Sequence, residues 1–293
     1  MSTTFTSGKE LLSLCARNHL SIGEVMLLRE TEQFDVTREE ALQRMDHSWE
    51  IMKTSVREGQ ENETPSMGGL IGGEAKKLSQ HRQAKGSLLG ETAGKAMSYA
   101  MGVLEVNASM GLIVAAPTAG SAGVIPGVFL ALQETYGFSD DQMVMALFHA
   151  GAIGYLATLN ATVAGAEGGC QAEIGTAAAM AASAAAELLG ASPSVCLDAA
   201  SITMASMLGL VCDPIGGLVE APCQKRNGVA AVNALTACEM ALSGVRSIVP
   251  YDEMLEVMLR VGKSLPYELR ETALGGVAAA PSALEACKNC SFR

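Results

Sequence analysis

The sequence predicts an all-α fold: one helical domain over residues 1–293 with about ten helices. Three observations carry this. Four Ser/Thr-x-x-Glu/Gln capping boxes (Ser7/Glu10, Ser21/Glu24, Thr37/Glu40 and Ser139/Gln142) each precede apolar residues at helical spacing. No run alternates apolar and polar residues over a strand's length between hairpin turns. The composition, 49% hydrophobic but only 4% aromatic and with 31 glycines, suits helices packed closely through short side chains.

The first two boxes predict helices over about 8–19 and 22–33. The third opens a helix to about Arg57, with Leu42, Met45, Trp49, Met52 and Val56 on one face. Residues 59–67 are polar and read as a loop. The glycine-rich stretch 68–73 turns tightly and delivers Glu74 to the start of another helix. It reads either as a plain connector or as a loop approaching a ligand. Gly86–Met101 is a further helix, and the apolar run continues through Val106–Ala115. The loop A-P-T-A-G-S-A-G-V-I-P-G (116–127) clusters backbone amides with the Thr118 and Ser121 hydroxyls, a combination able to bind a carboxylate. Helices follow over 139–159, 174–189, 193–210 with Pro193 at its first position, 225–243 and 250–263. Residues 281–293 read as a flexible tail.

Two uncharged runs, 106–133 and 142–166, are long enough to span a bilayer. Both are interrupted by polar residues and poor in leucine and phenylalanine, so they read as buried core helices rather than membrane spans. The net charge of −11 and the lack of a basic patch argue against nucleic acid or an anionic membrane as partner. No signal-peptide pattern opens the chain, which points to the cytoplasm. Neither a G-x-G-x-x-G after a strand nor a G-x-x-x-x-G-K-[ST] is present.

The chain has eight cysteines. Cys15, Cys196 and Cys238 lie inside apolar helical runs, where a free thiol behaves as a small core residue. Cys170, Cys212 and Cys223 differ: each has a glycine or proline within two residues, so backbone and metal can approach closely. Structural zinc favours closely spaced Cys pairs, and the only such pair is Cys287/Cys290. Three separated thiolates suit an iron–sulfur cluster with one iron left open for chemistry. The competing reading is that these too are core thiols.

Several stretches together resemble the α chain of the iron–sulfur-dependent bacterial L-serine dehydratases. They are M-D-H (45–47), G-G-E-A-K-K-L (72–78), V-N-A-S-M-G (106–111), A-P-T-A-G-S-A-G-V-I-P-G, G-G-C-Q-A-E-I-G, L-G-L-V-C-D-P, P-C-Q-K-R-N and R-E-T-x-x-G-G (270–276). The resemblance covers nearly the whole chain. It implies an all-helical catalytic fold, a 4Fe–4S cluster on Cys170, Cys212 and Cys223, L-serine as substrate and a smaller β chain as partner, fused in some relatives. Ile71, Glu74 and Ala164 depart from residues usual in that family, which touches substrate contacts rather than the cluster.

The chemistry expected is loss of water across Cα–Cβ of serine, giving pyruvate and ammonia after hydrolysis. It needs a base for the Cα proton. Lys225, two residues from a ligand, is the candidate, although the sequence does not assign the base firmly and a β chain can supply it. His149, on an apolar helix face, reads first as a hydrogen-bonded core histidine. Arg226 is the candidate for holding the substrate carboxylate, since cations at a helix start oppose the helix dipole and call for another purpose. Thr118, Ser121 and Asn160 are candidate polar substrate contacts. In the tail, Cys287 or Cys290 is a candidate ligand for the open iron in the absence of substrate. The alternatives are a related lyase acting on L-cysteine or L-threonine, a redox iron–sulfur protein, and a helical protein without catalysis.

Overall fold

Helices alone build the computed structural model, which describes residues 3–288; among these no strand forms, and the one isolated bridge pairs Cys212 with Arg270. The order is α1 (Gly8–Asn18), α2 (Ile22–Phe34), α3 (Arg38–Glu61), α4 (Glu74–Lys85), α5 (Gly90–Ala108), α6 (Val124–Tyr136), α7 (Asp140–Asn160), α8 (Gly165–Gly168), α9 (Thr176–Leu188), α10 (Pro193–Met207), α11 (Cys223–Leu242), α12 (Tyr251–Ser264) and α13 (Pro281–Cys287). The all-α expectation is met. Cys290 lies outside the described residues.

All four capping serines and threonines accept from the backbone N–H three residues on. Thr37 and Ser139 complete the reciprocal box, with Glu40 and Gln142 accepting from the cap N–H. At α1 the Glu10 carboxylate instead accepts from Thr6. At α2 the free N–H groups of Ile22 and Gly23 go to Glu187 of α9, at 2.9 and 3.3 Å, so a long-range carboxylate does the local one's work. Several boundaries moved: α3 runs on to Glu61, past the expected end near Arg57 and into the stretch expected as a loop, and α10 ends at Met207 rather than near Leu210. Gly86 and Gly90 both have positive φ, which delays α5 to residue 90. The run 106–133 divides into the end of α5, a loop, and α6. Residues 281–287, expected to open a flexible tail, form α13.

The small residues set the distances between helices. A Cβ at Gly123 would lie 2.1 Å from the Ala100 carbonyl oxygen, and one at Gly127 would lie 2.8 Å from the Ala96 carbonyl oxygen. The start of α6 therefore rests on the α5 backbone, and an added methyl would force the helices apart, at a cost of about 1–3 kcal/mol. Residues 176–186 of α9 are wholly buried between α6, α7, α10 and α11. Cys15, Cys196 and Cys238 are buried, as expected of thiols in apolar helical runs. Among the described residues one helix, α7, is long and apolar enough to cross a membrane, yet 67% of its apolar window is buried against the rest of the protein. It packs on α2, α3 and α9 as a core helix.

Asp140 at the start of α7 accepts from Trp49 Nε1 (2.8 Å), Gln133 (2.8 Å) and Lys53 (3.0 Å). The Gln133 and Trp49 hydrogen bonds lead in holding its carboxyl at about 2. A depressed carboxyl stabilises the fold above its unfolded pKa and loses that contribution as pH falls through the folded value. Asp140→Asn is therefore expected to lower thermal stability at pH 7 by about 1 kcal/mol, half-exposure having screened the pair. The difference should shrink below pH 4 and vanish only below pH 2, which thermal melts across pH would check.

Candidate metal centre

Cys170, Cys212 and Cys223 come from three different local structures. Cys170 follows Gly169, whose φ of +74° turns the chain between α8 and a π-helical turn, Gln171–Gly175. A Cβ at Gly169 would also meet the Leu210 carbonyl oxygen at 2.8 Å. That closeness lets the Gln171 N–H donate to Leu210 and the Gly209 N–H donate to Gln171 Oε1. The Cys170 loop and the segment leading to Cys212 are thereby fastened together. Cys212 is held in turn by the strand-like bridge to Arg270, with its N–H donating to Leu269 and its carbonyl accepting from Glu271. Cys223 begins α11.

The three thiols converge and are buried, each no more than 7% exposed. Cys170 and Cys212 interact directly, and that interaction together with burial pushes the Cys212 thiol far up. Burial first, then the charge at Cys170, pushes Cys223 up to about 12. The physical cause is plain. Two unit negative charges about 5 Å apart at an effective dielectric near 20 repel by roughly 3 kcal/mol. As neutral thiols the three need no counter-charge; as thiolates they would need a cation, and a metal centre that displaces their protons is a group such a gathered donor set fits.

Arg226 supplies fixed positive charge beside them. Its guanidinium donates to the Val211 carbonyl at 2.9 Å, pairs with Asp213 at 2.7 Å and faces the Cys170 sulfur. Asp213, buried, also accepts from the Val277 N–H at 2.6 Å. Gly276 makes this possible: its φ is +61°, and a Cβ there would stand 2.2 Å from Asp213 Oδ2. The glycines of R-E-T-x-x-G-G thus let the chain wrap over the aspartate that fixes Arg226. Lys225 is exposed and donates to Gln224 Oε1 at 3.0 Å. Both cations line a surface cavity of about 440 Å³, together with residues 206–210, Pro222 and Val229.

The predicted polar contacts separate. Thr118 and Ser121 hydrogen-bond each other, and Thr118 Oγ1 donates to Glu173 Oε1 at 2.8 Å. They therefore face the cysteine centre through Glu173. Asn160 is not brought together with them: its amide donates to the Thr6 and Leu156 carbonyls and joins the N-terminal segment to the end of α7. His149 is a core histidine, with Nε2 2.8 Å from Ser183 Oγ. Cys287 packs near the loop between Cys212 and Cys223, its sulfur 2.9 Å from where a Gly216 Cβ would lie.

Three carboxylates escaped the sequence reading, Glu105 and Glu220 buried and Glu173 half-buried. Glu173 lies between the Thr118 hydroxyl and the Cys212 sulfur, 3.9 Å from the latter. Burial raises its carboxyl against the Thr118 hydrogen bond. A signal existed: it sits three residues after Cys170, on the same turn. Glu220 accepts from Ser66 Oγ (2.6 Å) and from the Gly68 (2.7 Å) and Leu70 (3.1 Å) N–H groups. Glu105 accepts from the Gly73 and Ala75 N–H groups at 2.8 Å and from Gln224 at 2.6 Å. These two lash the glycine-rich loop to both sides of Cys223, a long-range pairing with no local trace.

A sequence model described as "Serine dehydratase alpha chain" matches residues 17–278. A Bacillus subtilis protein named "Probable L-serine dehydratase, alpha chain" is 45% identical over 96% of this chain and 93% of its own length. The "L-serine dehydratase, alpha chain" of Peptoniphilus asaccharolyticus is 41% identical over 93% of each. A longer "L-serine dehydratase" of Streptomyces coelicolor is 41% identical over 94% of this chain but only 60% of its own length.

Proposed function

The chain belongs to the serine dehydratase alpha chain family, and on that premise we propose that it deaminates L-serine to pyruvate and ammonia with a 4Fe–4S cluster held by Cys170, Cys212 and Cys223. The observation that carries the cluster is the convergence of those buried thiols beside Arg226. When bound, the cluster supplies a Lewis-acidic iron with an open position, the kind of acid that makes hydroxide a tolerable leaving group.

The chain's own residues supply the rest. Lys225 and Arg226 on the cavity wall draw in the serine carboxylate, and the Asp213 pair fixes the guanidinium in one orientation. Glu173 is the carboxylate placed to accept the Cα proton, with Thr118 and Ser121 holding its orientation. Lys225 is the alternative acceptor, reaching from the exposed side. Cys287, near the loop between Cys212 and Cys223, or Cys290 would be the tail thiol that holds the open position before substrate arrives. Relatives named as alpha chains match this chain along their length, whereas the longer relative has further sequence, which supports a separate β chain as partner.

The direct test is anaerobic purification with and without a β chain, measuring iron per chain, the visible spectrum and pyruvate from L-serine. About four irons and pyruvate formation support the proposal; a folded, colourless, iron-free and inactive protein overturns it. Turnover of L-threonine and L-cysteine alongside separates the related lyases. Arg226→Lys, which keeps the charge but loses the planar fork, is expected to raise KM for serine by about 10- to 100-fold with a smaller change in kcat. An unchanged KM in steady-state kinetics would remove Arg226 from substrate binding.

A further inference from the structure

A second donor set lies apart from the cysteine centre. His149 on α7, Glu187 on α9 and Cys196 on α10 bring a ring nitrogen, a carboxylate oxygen and a sulfur all within 4.8 Å of one another. His149 and Cys196 are fully buried. Glu187 is one-fifth exposed and forms part of the wall of a surface cavity of about 330 Å³, beside Ser21, Asp141 and Met145. The cavity provides a way in from solvent.

The hydrogen bonding around these groups is incomplete in a telling place. His149 Nε2 is engaged by Ser183 Oγ at 2.8 Å, which fixes the ring plane. Nδ1, on the other side, lies 3.1 Å from Glu187 Oε1 but makes no aligned hydrogen bond, although it is wholly inside the protein. A cation between Nδ1 and the carboxylate, either a ring proton or a metal ion, satisfies both groups. The Cys196 sulfur has only a long contact, 3.9 Å to the Ala191 carbonyl. Glu187 is oriented by the Ile22 and Gly23 N–H groups of α2. The imidazole and the carboxylate are thus each held by an outer partner, as metal ligands commonly are.

We propose that His149, Glu187 and Cys196 form a buried site for one divalent transition-metal ion of the zinc class, separate from the three-cysteine centre. A mixed nitrogen, oxygen and sulfur donor set suits zinc or cobalt(II), and three protein ligands leave one position for water. Binding converts the Cys196 thiol to thiolate and releases its proton to solvent. Because the ligands come from α7, α9 and α10, and Glu187 also caps α2, the ion ties four core helices together.

The test uses the full chain, purified anaerobically, dialysed free of loose metal and titrated with zinc. Wild-type protein is expected to retain one zinc per chain. Its zinc-edge X-ray absorption should show one sulfur at about 2.3 Å and nitrogen or oxygen at about 2.0–2.1 Å. Cys196→Ala and His149→Gln should each lower zinc retention at least tenfold, while serine in place of Cys170, Cys212 and Cys223 should leave the one-sulfur signal intact. Absence of bound zinc overturns the proposal. So does a zinc shell with three sulfurs, or a signal that survives Cys196→Ala and disappears with the other three cysteines. If the variants fail to fold, the wild-type sulfur count alone decides: one sulfur supports the site, and none or three refutes it.

Discussion

Replacing Cys170, Cys212 or Cys223 singly by serine is expected to strip iron from the protein and to lower serine turnover by about 10³-fold or more. Serine is isosteric, so the backbone need not move. Its hydroxyl, however, stays protonated at neutral pH and is a poor ligand for iron, which prefers soft thiolate. Loss of a Lewis acid worth several kcal/mol corresponds to at least three powers of ten in rate. Cys15→Ser and Cys238→Ser are the controls. Those thiols are equally buried but sit in the apolar core. A hydroxyl there costs roughly 1–3 kcal/mol of stability if it finds no partner, with iron content and kcat unchanged in the folded fraction. Iron analysis, the visible spectrum and pyruvate assays on the five variants give the answer. If the two groups of cysteines behave alike, the centre has been misplaced.

That experiment rests on a distinction already visible in the sequence. Cys170, Cys212 and Cys223, each with a glycine or proline close by, lie near one another, and Cys15 and Cys238, inside apolar helical runs, lie in the core. The all-α fold was legible for a similar reason: capping boxes and helical periodicity are local, and local signals survive into the structure, as at Thr37 and Ser139. What the sequence hid was long-range. Asp213 and Gly276 are neighbours only because the chain returns after α12, and the Arg226 orientation depends on that return. Glu220 accepts from the Gly68 N–H, 152 residues before it, and Glu105 from the Gly73 N–H, 32 residues before it, and from the Gln224 side chain, 119 residues after it. The Asn160 amide donates to the carbonyls of Thr6 and Leu156 rather than joining Thr118 and Ser121, and its tie to the N-terminal segment is likewise long-range. The departure of α5 from its expected start came from two left-handed glycines that a periodicity count passes over.

Glu173→Gln is expected to lower kcat by about 10²- to 10⁴-fold while iron content stays near the wild-type level. The substitution is chosen because glutamine keeps the shape and can still accept from the Thr118 hydroxyl, so the loop 116–121 need not shift. What it removes is the ability to take a proton. The carboxyl lies above its ordinary value of 4.5 because it is buried, with the Thr118 bond acting the other way. A base must be deprotonated to act, so kcat/KM should fall on the acid side through a pKa raised above 4.5, and this limb should be absent from the residual activity of the variant. Lys225→Met provides the contrast. Lys225 is exposed on the cavity wall. If it serves only to attract the carboxylate of serine, its loss raises KM and leaves the acid limb in place. The opposite pattern, with Glu173→Gln within tenfold of wild type and Lys225→Met inactive at full iron content, would move the proton acceptor to the lysine. Loss of both activity and iron in Glu173→Gln would instead make Glu173 a support for Cys212, which it approaches at 3.9 Å, and leave the base to be supplied by another group.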